Sequence, residues 1–464
     1  MGRLATALLS LALLAFRAVS EEDEPTIISR DVCILGGGSS GTYAAVRLKD
    51  QGKSVVVVEP RSQLGGHAET WYFQDGSHIN YGVEGVFNDH LSRSYLQRLG
   101  VQHKPLLPAA SHTDYVNFKT GFKSNYTGPT FLRLLPAVFA YWLRLSRFDF
   151  LAEGLYIDLP DPVPEELLQP FGDFIDKHKI PESVLDVVFA FASAVGNLFE
   201  TPLLYVVKDF GIPQCRALLS GYITPVKGMY EIYRRAKDLL GEDNILFRSK
   251  ASRVTRNEEE GVTTVVVVDE DGKPVVTVRA KQLLVTMPLT PDNTAPLDLT
   301  DSARALFRKW RWKGLYTAVL NNTGIPDGRD VANEDPAQRR GFPLPPFQRR
   351  LQWMGVPGHH VGSLVAERDV TPERARELIL DDVRRMAPVS VVPEVVAFAD
   401  HSPSVLMVSN DDIRAGFYRD LYALQGRGAT FYTGASMCSD YSSLLWAYTD
   451  DVIGKMTGVW NGTL

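Results

Sequence analysis

Asp31-Val32-Cys33-Ile34-Leu35-Gly36-Gly37-Gly38-Ser39-Ser40-Gly41 is the stretch that decides the fold. Its first five residues are a short apolar run ended by a turn, which predicts a strand buried on both faces. Gly41 to Gln51 then places Ala44, Ala45 and Leu48 on one face of a helix. A second run, Ser54-Val55-Val56-Val57-Val58, predicts a parallel neighbour for the first strand. Strand, glycine turn, helix and strand make a βαβ unit. Within it, G-x-G-x-x-G falls on Gly36, Gly38 and Gly41, with Ser40 in the opening helical turn. The first glycine permits the tight turn, the second lets backbone approach a pyrophosphate, and the third lets helix pack on strand. The helix N-terminus faces the negative charge. Glu59 follows the second strand, where an acidic residue accepts hydrogen bonds from a ribose and repels a 2′-phosphate. The bland alternatives are a glycine turn without function and a solvated strand end. The fingerprint alone does not separate one dinucleotide cofactor from another.

Outside this unit the texture alternates. Residues 101 to 225 are rich in Leu, Phe and Pro, with helical periodicity over 131 to 144, 165 to 178 and 181 to 199. Phe131 to Trp142 reads as a core helix or an apolar surface, with a membrane-touching helix as the minority alternative. Strand texture returns at 245 to 285 as a strand, a hairpin turning at Gly272, and a further strand over Gln282 to Thr286 that closes on Pro288. Residues 326 to 346 are rich in Pro, Gly and Arg and read as a long surface loop. His359-His360 reads as a surface pair. A strand over Thr430 to Thr433 and a helix over Ser442 to Met456 close the chain. The reading is an α/β chain of 464 residues in which a Rossmann-type domain is interrupted by a mixed α+β substrate domain. Residues 30–100, 226–295 and 405–464 form the nucleotide-binding domain, and 101–225 with 296–404 the substrate-binding domain.

Forty-nine basic residues against 55 acidic ones give a net charge of -6, with no basic tract to follow a phosphate backbone, so nucleic acid is not the expected partner. Arg3, the apolar run Leu4 to Phe16 and the small residues before Glu21 read as a signal peptide over 1–20. The apolar run is too short to span a bilayer, so no transmembrane span is expected in the mature chain. With sequons at Asn125, Asn321 and Asn461, this points to a glycosylated protein that is secreted or held in the secretory-pathway lumen. Cys33, Cys215 and Cys438 allow at most one disulfide. Cys33, inside the first strand, reads as a small buried hydrophobe. No metal-ligand spacing is visible.

Beyond Glu59 runs Pro60-Arg61-Ser62-Gln63-Leu64-Gly65-Gly66-His67. It resembles the glycine-pair motif of the flavin-containing amine oxidase superfamily, and Ile79-Asn80-Tyr81-Gly82-Val83 resembles the strand and glycine beside the flavin there. Thr224 to Met229 with the following helix is similar to that superfamily's P-x-G-G segment, and Lys250-Ala251-Ser252 to the strand whose backbone contacts adenine. Phe431-Tyr432-Thr433-Gly434-Ala435 and Asp440-Tyr441-Ser442-Ser443-Leu444-Leu445-Trp446 resemble the C-terminal flavin-contact strand and helix. Gly-Gly-Gly-Ser-Ser-Gly-Thr-Tyr-Ala-Ala at 36 to 45, Leu-Gly-Gly-His at 64 to 67, and Tyr-Thr-Gly-Ala with Ser-Ser-Leu-Leu-Trp at the end give a closer resemblance to one fungal branch of FAD-dependent oxidoreductases, the β-cyclopiazonate dehydrogenase family. This implies an amine-oxidase-like (GR2) FAD domain. The implied FAD contacts are Gly36, Gly38, Ser40, Gly41, Glu59, Arg61, Gly65, Gly66, His67, Tyr81, Gly82, Ala251, Gly434, Tyr441, Ser442, Ser443 and Leu444.

The chain also departs from the amine oxidases. Ser436 stands where they carry an acidic residue, and Leu444 where they place one wall of an aromatic cage. Simple amine oxidation is therefore not the expected chemistry. His67 has two readings, a covalent tether to the flavin 8α carbon or a group that packs and hydrogen-bonds near the cofactor. Cys438 is a weaker tether candidate with a structural alternative. No catalytic base stands out, as expected where the cofactor carries the chemistry. The leading expectation is a dehydrogenase or oxidase acting on a hydrophobic small molecule, an alkaloid or terpenoid, and passing electrons to O2 or another acceptor. The alternatives are a redox-neutral FAD-dependent isomerase of a lipid-like substrate, and a non-catalytic flavin-binding protein of the secretory pathway.

Overall fold

The computed structural model describes residues 25 to 458 apart from 111 and 258, so the expected signal peptide and the sequon at Asn461 lie outside the described residues. The chain opens with β1 (Thr26–Leu35), α1 (Ser39–Asp50) and β2 (Val55–Val58). There follow β3 (His112–Val116), α2 (Phe131–Leu145), α3 (Leu203–Asp209), α4 (Ile212–Ser220) and α5 (Tyr230–Leu240). Next come β4 (Ile245–Leu246), β5 (Lys250–Asn257), β6 (Val262–Val268) and β7 (Pro274–Val285). The second half adds β8 (Arg311–Asn321), β9 (Arg329–Asn333), β10 (Phe347–Trp353), β11 (His359–Ala366), α6 (Pro372–Met386) and β12 (Glu394–Asp400). β13 (Thr430–Tyr432) and α7 (Ser442–Thr457) end it.

Two sheets share these strands. The first has the order β5-β6-β7-β1-β2-β4, with β13 on β7. Val32 lies opposite Val55 and Leu35 opposite Val58 in a parallel pair, and all eight residues from these two runs are buried. β7 is the hinge of the sheet. It runs parallel to the whole of β1, while its outer edge pairs antiparallel with β6 in its first half and parallel with β13 in its last three residues. α7 packs on α1 through stacked Tyr43 and Trp446, and Asp450 accepts hydrogen bonds from Tyr43 and Arg47. The second sheet has the order β12-β8-β11-β10-β9-β3. Tyr316, Ala318, Leu320, Leu351 and Leu364 on one face pack against Ala375, Ile379 and Val383 of α6. Val319 and Ala399 on the other face meet Ile79 and Tyr81 of the first half.

The structure differs from the sequence reading at several points. β1 starts at Thr26, because the polar half before Asp31 is held by pairing with Val276 to Ala280. Residues 274–285 form one strand; Arg279 and Lys281 reach solvent and so resembled a break. The helical stretch over 165 to 178 is cut at Pro170, and 181 to 199 holds one helix, Leu185–Ala192, flanked by 3-10 turns. The expected loop at 326 to 346 contains β9, a strand paired on both sides. His360 is fully buried on β11, its ring nitrogens near Thr323 Oγ1 and the Arg329 carbonyl, so it is not a surface residue. All three cysteines are buried and free.

Candidate active site

At the end of β1 the chain must turn sharply into α1. Gly36 takes φ +106°, and a Cβ on Gly41 would lie 1.9 Å from the Gly36 carbonyl oxygen, so no side chain fits at either position. Thr286 Oγ1, at the end of β7, donates to the Gly36 carbonyl at 2.9 Å and locks the turn. α1 has Gly38 as its N-cap and no side-chain cap, leaving its first N–H groups to a ligand. Among the described residues, the Ser39 and Ser40 hydroxyls are buried with no hydrogen-bond partner. Both face a cavity of about 510 Å³, within the range of small-ligand sites.

Glu59 is buried beside this loop, and each of its carboxylate oxygens already accepts a backbone N–H, from Gly37 at 2.7 Å and from Arg61 at 2.8 Å. Burial raises its pKa, although both hydrogen bonds favour the charged form. Glu59 thus ties the first glycine loop to the second, a duty that its position in the motif does not reveal. A carboxylate has about four lone-pair sites, so room remains for a ribose. The second glycine loop comes close to the first: a Cβ on Gly66 would lie 3.1 Å from Gly38 Cα. Arg61 fastens it, donating to the Gly66 carbonyl at 3.1 Å, to Glu69 at 2.5 Å and to the Asp400 carbonyl at 3.0 Å.

His67 follows and also faces the cavity. Its ring stacks on His401 with centroids 4.4 Å apart, and its Nδ1 lies 3.6 Å from an Asp440 carboxylate oxygen. Asp440 sits deep in the protein, yet its side chain remains 42% accessible because it faces the open cavity. Burial alone would raise its pKa; His67 and Lys208 outweigh that and hold it below the usual carboxylate range. His401 is buried with no partner for Nε2 among the described residues, and burial, helped by the charges of His67 and Arg61, holds its pKa well below the ordinary value.

The cavity brings together Gly36, Gly38, Ser40, Glu59, Arg61, Gly65, Gly66, His67, Ala251, Gly434 and Ser442 from segments far apart in sequence. Six other residues of the expected set serve elsewhere and are not among its walls. Gly41 closes α1 on β1, and Gly82 lets the chain pass the His67 carbonyl. Tyr81 is buried near Glu69. Tyr441 caps α7 and donates its hydroxyl to the Asp209 carbonyl at 2.6 Å. Ser443 Oγ accepts from the Phe87 amide and pairs with Ser92, and Leu444 packs in the core. Ser436, at the position of the missing acid, accepts from the Leu289 amide at 2.9 Å.

Sequence reasoning missed Thr286, Asp400, His401, Asp440 and the pair Lys208–Asp209. Lys208 is buried and donates to the Ala435 carbonyl at 3.0 Å. Burial lowers its pKa, against the pull of Asp209 and Asp440. Asp209 is pushed up to about 7, by burial above all and by Asp440, with Lys208 opposing. Two charged residues in succession within the apolar stretch Leu203 to Phe210 were the available signal. From Tyr441 a run of aromatic contacts leads away through Phe87, Tyr222, Phe191 and Phe210 to Tyr141 on α2, each step between 5.1 and 6.2 Å.

Comparisons with known proteins cover most of the chain. The profile of the family described as flavin containing amine oxidoreductase matches residues 39–444. β-Cyclopiazonate dehydrogenase of Aspergillus oryzae is 41% identical over 454 residues, 97% of this chain and 98% of that protein. An FAD-dependent oxidoreductase of Cochliobolus heterostrophus is 31% identical over 91% of this chain and 90% of its own. Among solved structures, a fatty acid isomerase from P. acnes that produces CLA superposes with a TM-score of 0.73 at 18% identity, covering 92% of this chain and 98% of its own. A putrescine oxidase reaches 0.64 at 17% identity, covering 92% of this chain and 100% of its own. At these identities the structural likeness is one of fold.

Proposed function

The chain belongs to the family of flavin-containing amine oxidoreductases and is an FAD-dependent oxidoreductase, and from this premise we propose that it takes a hydride from a hydrophobic secondary metabolite of the alkaloid or terpenoid class, in fungal natural-product biosynthesis. The 41% identity to β-cyclopiazonate dehydrogenase over nearly the full length of both chains is the observation that carries this reading. The protein surroundings suit FAD. Two glycine loops leave a cradle that any Cβ would narrow, and Ser39, Ser40 and the uncapped α1 terminus offer unpaired donors for a pyrophosphate. In our assignment Glu59 takes the ribose, Ala251 lies beside the adenine, and Gly434 and Ser442 border the flavin end. When bound, the flavin supplies a two-electron acceptor whose reduced form passes electrons to O2 or another acceptor.

The residues of this chain position and exclude. Arg61 holds the glycine-pair loop against the second sheet. The buried Lys208 places a positive group behind Ala435, and Asp440 aligns His67 at the cavity wall. With Leu444 in the core and Ser436 on a backbone amide, the cage for a small amine is not built. We also place the protein in the secretory-pathway lumen or outside the cell, on the strength of its basic and apolar leader and the exposed sequon at Asn125. The decisive experiment is anaerobic addition of β-cyclopiazonate and of related alkaloids and terpenoids to purified holoprotein. Bleaching of the flavin band near about 450 nm is the expected result. An oxidised flavin beside a rearranged product would favour the isomerase instead, and no response to any compound would overturn the reading.

A further inference from the structure

α2 carries an inverted surface pattern. Ala137, Val138, Tyr141 and Leu145 form its buried side. The opposite side of a helix that faces water carries polar groups. Here it presents Leu132, Pro136, Phe139 and Leu143, spaced four, three and four residues apart on one stripe. Leu132 is 84% exposed, Phe139 61% and Leu143 62%, with Leu135 alongside at 46%. α4, which packs against α2, ends in two more exposed leucines, Leu218 and Leu219. Single apolar residues on a surface need no explanation, but a full helical stripe does.

Along the helix itself the charges are all of one sign, although the neighbouring turn at Glu182–Val184 brings Glu182, which is held by Arg340. From Tyr126 to Phe148 there is no Asp or Glu, and the charged residues are Arg133, Arg144 and Arg147. Glu166 holds Arg147. Arg133 and Arg144 are exposed, and neither guanidinium has a hydrogen-bond or ion-pair partner among the described residues. An apolar stripe edged by free arginines fits the boundary of a bilayer, where acyl chains take the apolar face and phosphates take the cations. Among the described residues no helix is long and apolar enough to cross a membrane, so the contact is with a surface.

We propose that α2 is an interfacial helix that seats this protein on an anionic lipid surface, with the Leu132–Phe139–Leu143 stripe in the headgroup boundary and Arg133 and Arg144 on lipid phosphates. The helix packs behind the residues that hold the start of α7. Tyr141 stacks on Phe210 and donates to its carbonyl at 2.8 Å, and the adjacent Asp209 carbonyl receives the Tyr441 hydroxyl. If the substrate is hydrophobic, as the proposed function holds, the same lipid surface would concentrate it near the protein. The lipid contact itself does not depend on that reading.

Flotation of purified full-length holoprotein with phosphatidylcholine vesicles, with and without phosphatidylserine, tests the proposal. The protein should float with the phosphatidylserine vesicles and should release in high salt. Phe139→Glu with Leu143→Glu should weaken binding about ten-fold or more while the flavin spectrum and circular dichroism stay unchanged, because both side chains point into solvent. Arg133→Gln with Arg144→Gln should weaken binding to the anionic vesicles alone. No flotation with either vesicle, or flotation that ignores both double variants, overturns the proposal. So does a lipid-free oligomer that Phe139→Glu dissolves, which would assign the stripe to a second copy of the chain. Substrate-driven bleaching in solution is read separately, so failure of the membrane contact and failure of the catalytic reading are distinguishable.

Discussion

Arg61 Nη2 donates to the main-chain carbonyl of Asp400 at 3.0 Å, joining two residues 339 positions apart. The same guanidinium holds the Gly66 carbonyl and Glu69 through Nη1, so one side chain clamps the second glycine loop to the end of β12. Three acceptors in different directions need the planar fork of an arginine. Arg61→Lys should therefore keep the fold and lose the clamp. Charge-assisted hydrogen bonds are each worth about 1.5–3 kcal/mol, less at a site as open as this one. FAD affinity should fall roughly ten-fold, read by titration of apoprotein with FAD.

Gly41→Ala should be worse than its size suggests. The new Cβ would sit 1.9 Å from the Gly36 carbonyl oxygen, and that oxygen is backbone and cannot swing aside. The turn has to open, which dismantles the unpaired donors at Ser39 and Ser40. The variant should purify without flavin and melt several degrees below the parent, on the order of the shift that 1–3 kcal/mol produces.

His401 makes stability depend on pH in a stated direction. It is buried against the His67 ring, and its pKa in the folded protein lies well below 6.5. The unfolded chain takes up a proton at this residue below about pH 6.5 and the folded one does not. Stability from this group is thus complete above that pH and falls as the pH drops below it. Thermal unfolding between about pH 5 and 6.5 should show the slope, and His401→Gln should flatten it.

Asp209 acts in the opposite sense. Burial pushes its pKa up to about 7 from 3.8, so the folded protein keeps a proton that the unfolded chain has lost. Its contribution is complete below the unfolded value and is lost as pH rises towards about 7. Asp209→Asn should raise the melting temperature more at pH 8 than at pH 5, by a few degrees. An equal gain at both values would show that Asp209 is ionised throughout.

If the chain enters the secretory pathway, its two described sequons should not be equivalent. Asn125 is exposed on a loop, whereas Asn321 ends β8 with its side-chain oxygen buried. Asn125→Gln should remove a glycan visible as a mass shift on deglycosylation, and Asn321→Gln should leave that shift unchanged.

The βαβ unit was legible without coordinates because its requirements are local. A turn this tight needs glycine at Gly36 and Gly41, and strands buried on both faces need runs such as Val55 to Val58. The membership of Gly65, Gly66, Gly434 and Ser442 in the same cavity followed from resemblance at two distant motifs. The second sheet was far less legible: β9 hides among Pro, Gly and Arg, and His360 is buried through contacts with Thr323 and Arg329 that no periodicity reports. The chemical character of the site depends on such meetings. His401 lies behind His67 because β12 ends there, Asp440 faces His67 across 373 positions, and Asp209 titrates high because α3 buries it near Asp440, against the pull of Lys208. The sequence by itself determined the turn and the strands, since each rests on the conformational limits of neighbouring residues, and it reached the cofactor class only through resemblance at distant motifs. Only the tertiary structure decided which charges share a low-dielectric space and which helix face is left without a polar cover, since both depend on burial, a property of the assembled chain.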